Sequence, residues 1–138
     1  MAVFVIDASA TLPWCLKDEE TARTISLLRR LNTGDRIVVP AHWPTEVSNG
    51  LLMATRRKRI PEGRSTLFWD ELAALPIAVE PALSPAQAKA LLTLCDRHAL
   101  TVYDAAYLEL AKRNAFPLAT IDDALRRAAP LEGVSLIG

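Results

Sequence analysis

Four carboxylates stand close after an apolar run or in the first turn of a helix-patterned segment. Asp7 directly follows Val3-Phe4-Val5-Ile6, and Glu46 follows Ile37-Val38-Val39-Pro40 through the turn Ala41-His42-Trp43-Pro44-Thr45. Asp104 lies in the first turn of a segment entered at Leu100-Thr101-Val102-Tyr103, and Asp122 follows Pro117-Leu118-Ala119-Thr120-Ile121. Each acid has a local explanation, because a carboxylate at a helix N-terminus complements the helix dipole by about 0.3–1 kcal/mol. Asp7 asks for more: an acid right after a fully apolar strand sits near a buried edge, where charge is costly without a partner. Four acids converging there would raise one another's pKa values unless a cation sat among them. Hard divalent ions are held by carboxylate oxygens, and Mg²⁺ usually keeps several of its waters. The constellation therefore reads as a Mg²⁺ site in which Mn²⁺ can substitute, a reading compatible with helix capping. Ser9, Asn49 and Thr120 lie two, three and two residues from Asp7, Glu46 and Asp122. They are candidate supporting groups for the carboxylates or a bound water, with ordinary capping as the alternative.

The motifs that are missing narrow the chemistry. The five glycines form neither a dinucleotide-binding nor a phosphate-binding loop. His42 and His98 have no zinc-protease context and are expected in surface or turn roles, and there is no nucleophile-elbow serine. Acids plus a hard metal, with no protein nucleophile in view, point to hydrolysis by metal-activated water. The one basic run, Arg56-Arg57-Lys58-Arg59 with Arg64 nearby, is a candidate RNA or partner contact. Its alternative is a solvated helix end meeting the dipole. Trp14, Trp43 and Trp69 are expected in the core or an interface rather than stacked on bases.

The elements that must position these groups are legible as alternating patterns. Residues 2–6, 36–39, 77–79, 116–119 and 134–137 are apolar runs of strand type. Helical spacing occupies 21–31, 46–55, a stretch opened by Pro61-Glu62 and a stretch opened by Ser84-Pro85. It returns over 101–113 and 122–129. Pro13 is the proline expected to disturb a helix. Short buried strands alternating with helices predict an α/β sandwich with a mostly parallel sheet, whose ligands bind at the carboxyl ends of the strands.

The chain has 138 residues, 51% apolar and 23% charged, the composition of a single globular domain spanning 1–138. Its 16 basic and 16 acidic residues cancel, against a nonspecific polybasic nucleic-acid binder or an acidic tail. Four acids gathered around a metal would leave bases in excess elsewhere, so a neutral chain can still present a positive rim. Cys15 and Cys95 are isolated, against a disulfide framework or a structural zinc site. No run has the length of a membrane span and the N-terminus lacks signal-peptide character, so a cytoplasmic protein is expected.

Four segments in order carry a resemblance: Val5-Ile6-Asp7-Ala8-Ser9, Pro44-Thr45-Glu46-Val47-Ser48-Asn49, the stretch from Leu100 through Tyr103-Asp104-Ala105-Ala106-Tyr107-Leu108-Glu109-Leu110-Ala111, and Leu118-Ala119-Thr120-Ile121-Asp122. With them the whole chain resembles a PIN-domain ribonuclease of the VapC toxin type. The resemblance implies a PIN-like three-layer α/β/α sandwich and a Mg²⁺-dependent endoribonuclease, the toxin of a type II toxin–antitoxin pair. It further implies structured RNA substrates such as tRNA or rRNA, a small VapB-like antitoxin that blocks the site, and a homodimer. By position, Asp7 and Asp104 match the main metal ligands, Glu46 the helix acid and Asp122 the fourth acid. Ser9, Asn49 and Thr120 match supporting polar positions. Pro13 and Gly50 depart from the common pattern, and Asp123 adjoins Asp122, although the spacing from Thr120 favours Asp122. The expected products carry a 5′-phosphate and a 3′-hydroxyl. The competing readings are a Mg²⁺-dependent phosphatase or phosphotransferase with Asp7 as nucleophile, and a catalytically inactive PIN-like RNA-binding module.

Overall fold

The computed structural model describes residues 2–138. Four strands, β1 (Val3–Ile6), β2 (Arg36–Val39), β3 (Ile77–Val79) and β4 (Leu118–Ala119), form one sheet in the order β3-β2-β1-β4. Every pairing is parallel, with Phe4 opposite Ile37, Val38 opposite Ala78 and Ile6 opposite Ala119. The central strand is the most apolar: Phe4, Val5 and Ile6 have no exposed surface, as expected of a strand covered on both faces.

Among the described residues seven α-helices surround the sheet: α1 (Ala8–Thr11), α2 (Ala22–Asn32), α3 (Trp43–Arg56), α4 (Arg64–Ala73), α5 (Pro85–His98), α6 (Val102–Asn114) and α7 (Asp123–Leu131). The β1-to-β2 and β2-to-β3 connections step toward one edge, whereas the β3-to-β4 connection returns past β1 to the other. Parallel crossovers are right-handed, so this reversal puts α5 and α6 on the opposite face from the helices of the first two connections. It also opens a crevice at the carboxyl ends of β1 and β4, the usual ligand position in such sheets.

The expected strand over 116–119 shortens to two residues, because Pro117 has no N–H for the ladder. Residues 134–137 form no strand; a two-residue β4 supports only the parallel bridge from Leu118 to Leu136. The helix expected from Pro61-Glu62 begins at Arg64, because Gly63 takes a left-handed conformation (φ 85°) at its cap. α3 starts at Trp43, with Pro44 in its first turn, so Glu46 lies inside that turn. Pro13 kinks no helix; it sits in a 3₁₀ turn, Leu12–Trp14, directly after α1.

Gly50 has a steric reason to lack a side chain. A Cβ there would lie 2.6 Å from Leu12 Cδ1, so glycine lets α3 approach the segment that follows Asp7. The tryptophans anchor this packing rather than awaiting a base. Trp43 donates to Thr11 Oγ1 at 3.2 Å and Trp14 to the Thr24 carbonyl at 2.7 Å. Trp69 donates to Ser48 and meets Trp43 edge-on.

His98 is not at the surface. It closes on Glu132, whose buried carboxylate also accepts from Arg97 and Lys112, each at 2.7 Å. This cluster joins α5 and α6 to the end of α7, and it holds the Glu132 carboxyl well below its usual range, at about 2, through the Lys112, His98 and Arg97 bonds. Among the described residues no helix is long and apolar enough to cross a membrane.

Candidate metal centre

Asp7 leaves β1 in extended conformation and caps α1, its Oδ1 accepting from the Ala10 N–H at 3.0 Å. Only 3% of Asp7 is exposed. Ser9 Oγ reaches both oxygens, at 2.7 and 2.9 Å, and Thr120 Oγ1 donates to Oδ2 at 2.5 Å. The two hydroxyls also accept from the loop beyond β4. Ser9 Oγ takes the Ile121 N–H at 3.1 Å, and Thr120 Oγ1 takes the Asp122 N–H at 3.0 Å. Each thus spends its proton on Asp7 and its lone pair on the backbone, tying the ends of β1 and β4 into one unit. Ser9 and Thr120, expected as supporting groups, are both hydrogen-bonded to Asp7.

Asp122 caps α7, its Oδ2 accepting from the Leu125 N–H at 3.0 Å, and it is half-buried, whereas Asp123 is exposed in the helix's first turn. Asp104 lies in the first turn of α6 behind its cap, Thr101. Glu46 lies in the first turn of α3, where the buried Tyr107 hydroxyl donates to Oε1 at 2.5 Å. His42, the N-cap residue of α3, brings Nε2 to 3.4 Å from the same oxygen. That approach is not an aligned hydrogen bond: Nε2 is buried and has no hydrogen-bond partner among the described residues.

The acids sense one another. Burial pushes the Asp7 carboxyl up to about 6; bonds from Thr120, Ser9 and Ala10 oppose the rise, and the Asp104 charge adds to it. Asp104 is raised by burial and by the charges of Asp122 and Glu46, against Thr101 and His42. Burial raises Glu46 too, but His42 and Tyr107 outweigh it and leave the carboxyl below its ordinary value. Tyr107 is itself raised, by burial and by Glu46, and so keeps its proton.

Asn49 is exposed one turn along α3, and its side chain makes no hydrogen bond among the described residues. The basic run at the end of α3 divides. Arg59 is committed to Asp18 at 2.8 Å and Glu19 at 2.6 Å, while Arg56, Arg57 and Lys58 are exposed with no ion pair among the described residues. Three groups at the site escaped the residue-by-residue reading. Tyr107 lies one turn after Asp104 and His42 one turn before Glu46, spacings that put both beside an acid. Arg126, one turn after Asp122, donates from Nη1 to the Thr120 carbonyl at 2.8 Å and forms no ion pair among the described residues. A cavity of about 430 Å³ adjoins the site, lined by His42, Glu80, Ala106, Glu109 and Arg113 among others.

This donor set fits a hard divalent cation that keeps part of its water shell. Asp7 and Asp104 are raised chiefly by burial and secondarily by neighbouring carboxylates, and a cation placed between them would offset both. The hydrogen bonds to Asp7 occupy about three of its four lone-pair positions, leaving room for one further contact. No group of three or more Asp, Glu, His or Cys among the described residues is drawn together at ligating spacing. One or two direct carboxylates with the rest acting through water is the way Mg²⁺ is usually held.

The PIN domain family profile matches residues 4–131. No curated protein matches the sequence significantly. Among solved structures, PAE2754 from Pyrobaculum aerophilum is similar with a TM-score of 0.70 at 21% identity, covering 93% of this chain and 87% of that one. VapBC2 from Rickettsia felis, bound to a DNA fragment from their promoter, gives 0.66 at 12% identity over 97% and 96% of the two chains. FitAcB from Neisseria gonorrhoeae gives 0.65 at 14% identity over 98% and 96%. At these identities the likeness speaks to the fold.

Proposed function

This chain belongs to the PIN domain family, and from that premise we propose that it is a Mg²⁺-dependent endoribonuclease, the toxin of a type II toxin–antitoxin pair. The observation that carries the reading is the union of Asp7 with the β4 loop through Ser9 and Thr120, within charge reach of Asp104. Such a site is built to hold a cation at a strand edge, not merely to cap a helix.

Asp7 and Asp104 would hold the cation, with Glu46 and Asp122 acting through its water or completing a second metal position. When bound, Mg²⁺ supplies charge neutralisation at a phosphodiester and a water acidic enough to attack at neutral pH. Ser9 and Thr120 keep Asp7 ionised and fixed in direction. Arg126 places an unpaired cation beside the acids, where a phosphate oxygen can meet it. Arg56, Arg57 and Lys58 extend the contact along the RNA backbone. The substrate is structured RNA of the tRNA or rRNA type.

The protein acts as a homodimer and is held inactive by a small VapB-like antitoxin. The similarity to VapBC2, solved with a DNA fragment from their promoter, supports a paired partner of this kind. The test is product chemistry. Cleavage of purified RNA should leave 5′-phosphate and 3′-hydroxyl ends, because water attacks the phosphorus and the 3′-oxygen leaves. Cyclic 2′,3′-phosphate ends would refute the mechanism. A trapped phosphoaspartate at Asp7 would establish the phosphotransferase reading in its place.

A further inference from the structure

We infer that Tyr107 is a positioning residue for the metal centre: its hydroxyl fixes the Glu46 carboxylate through Oε1 and leaves Oε2 free for the metal centre. The inference rests on the metal-site reading above and assigns a role to a residue that holds no cation itself.

The geometry carries it in three ways. First, the donor is immobile. Tyr107 has no exposed surface and sits in the middle of α6 among Ala106, Leu108 and Leu110, so its ring is set by core packing. Second, the acceptor is not. Glu46 is half-exposed at the first turn of α3, where a three-torsion side chain is free unless something holds it. The 2.5 Å bond to Tyr107 is its one aligned hydrogen bond among the described residues, and it engages Oε1 alone. The His42 ring leans edge-on against Tyr107, with centroids 4.9 Å apart, and its Nε2 lies 3.4 Å from Oε1. Third, α6 carries Asp104 one turn before Tyr107. A single helix thus presents one acid to the cation and steers another that belongs to a different helix. A bonded partner that orients a ligand or water-holding group changes metal affinity without touching the metal.

The bland alternative is that Tyr107 is a core residue whose hydroxyl needed an acceptor and found one. The two readings separate in metal binding, because a core role acts on stability whereas a positioning role acts through Glu46. The experiment is isothermal titration of Mn²⁺ into metal-stripped protein, with a thermal melt of each variant. The proteins are the parent, Tyr107→Phe, Glu46→Ala, the double variant and Glu46→Asp.

Tyr107→Phe keeps the ring and should weaken Mn²⁺ binding by about tenfold, the lower end of the usual cost of losing such a partner. Glu46→Ala should weaken it at least as much, and the double variant should match Glu46→Ala alone, since nothing is left to position. Glu46→Asp leaves the core untouched, so it serves even if Tyr107→Phe does not fold. It keeps the charge but withdraws it from the hydroxyl, and should also lose about tenfold. Unchanged Mn²⁺ affinity in Tyr107→Phe overturns the inference. So does a Tyr107→Phe effect that persists in full on the Glu46→Ala background, because the hydroxyl is then acting on something else. Parent-like affinity in Glu46→Ala overturns it while leaving Asp7 and Asp104 as the cation's ligands. Failure of the parent to bind Mn²⁺ overturns the metal-site reading as well.

Discussion

Replacing Asp7 by Asn should stabilise the metal-free protein, and by an amount that depends on pH. Burial lifts the Asp7 carboxyl from 3.8 in the unfolded chain to about 6 in the fold. The folded state therefore binds the proton more tightly between these values, and stability falls as pH rises through that window. At 1.36 kcal/mol per unit, the full cost above about pH 7 is roughly 3 kcal/mol. Asparagine carries no charge and escapes this cost. It has one acceptor oxygen where Ser9, Thr120 and the Ala10 N–H now share two, which returns about 1–2 kcal/mol. The net gain is about 1–2 kcal/mol at pH 7.5, several degrees in Tm for a chain of this size. Below about pH 3, where the aspartate is protonated in both states, the gain should vanish and the lost hydrogen bonds should show as mild destabilisation. The assay is thermal unfolding by circular dichroism in EDTA at pH 3, 5.5 and 7.5. Adding Mg²⁺ at pH 7.5 should raise the parent's Tm and leave the variant's nearly unchanged, since only the parent gains by mass action. A Tm difference that is constant across pH, or that favours the parent at every pH, would refute the view of Asp7 as a buried charge awaiting a cation.

Asp104→Asn should lower RNA cleavage by at least about 100-fold with the melting curve intact, read by gel against the parent at equal Mg²⁺. Glu132→Gln removes the negative charge and one of the two acceptor oxygens that Arg97, His98 and Lys112 share. The drop from 4.5 to about 2 corresponds to roughly 3 kcal/mol, but Arg97 and Lys112 are half-exposed and screened, so about 1–2 kcal/mol is expected at pH 7. Because the folded pKa is depressed, this stability is lost as pH falls from about 4.5 through 2. Urea titrations of parent and variant should therefore differ at pH 7 and converge near pH 2–3. The paired substitution Arg56→Ala with Arg57→Ala should weaken RNA binding and reduce its salt slope by about 2, measured by filter binding across a salt series. Arg59→Ala, whose parent is already paired with Asp18 and Glu19, should leave that slope nearly unchanged.

Much of the frame was readable because its signals are local. The run Val3-Phe4-Val5-Ile6 admits a strand buried on both faces, and Ser84-Pro85 opens α5 with the capping box its residue types imply. Asp7, Glu46 and Asp122 were readable for the same reason, each following an apolar run at a strand's end, and Asp104 by its place in a helix's first turn. What stayed hidden depends on partners distant in sequence. Thr120 meets Asp7 across 113 positions and Tyr107 meets Glu46 across 61, and no spacing rule reaches that far. Gly63 could mark a turn in sequence, but only its left-handed conformation shows that α4 waits for Arg64. His98 had no motif around it because its partner, Glu132, arrives from the far end of α7. Gly50 reads as a helix-weakening residue until Leu12 is seen against it.

We propose that the acids gathered at the ends of β1 and β4 hold a metal and that the protein cuts RNA with it. The test is incubation of purified protein, free of any antitoxin, with total cellular RNA in Mg²⁺ or in EDTA, beside the Asp7→Asn variant. Discrete fragments that require both Mg²⁺ and Asp7 are expected. Intact RNA in Mg²⁺ from folded protein, or fragments that survive EDTA or the loss of Asp7, would contradict it.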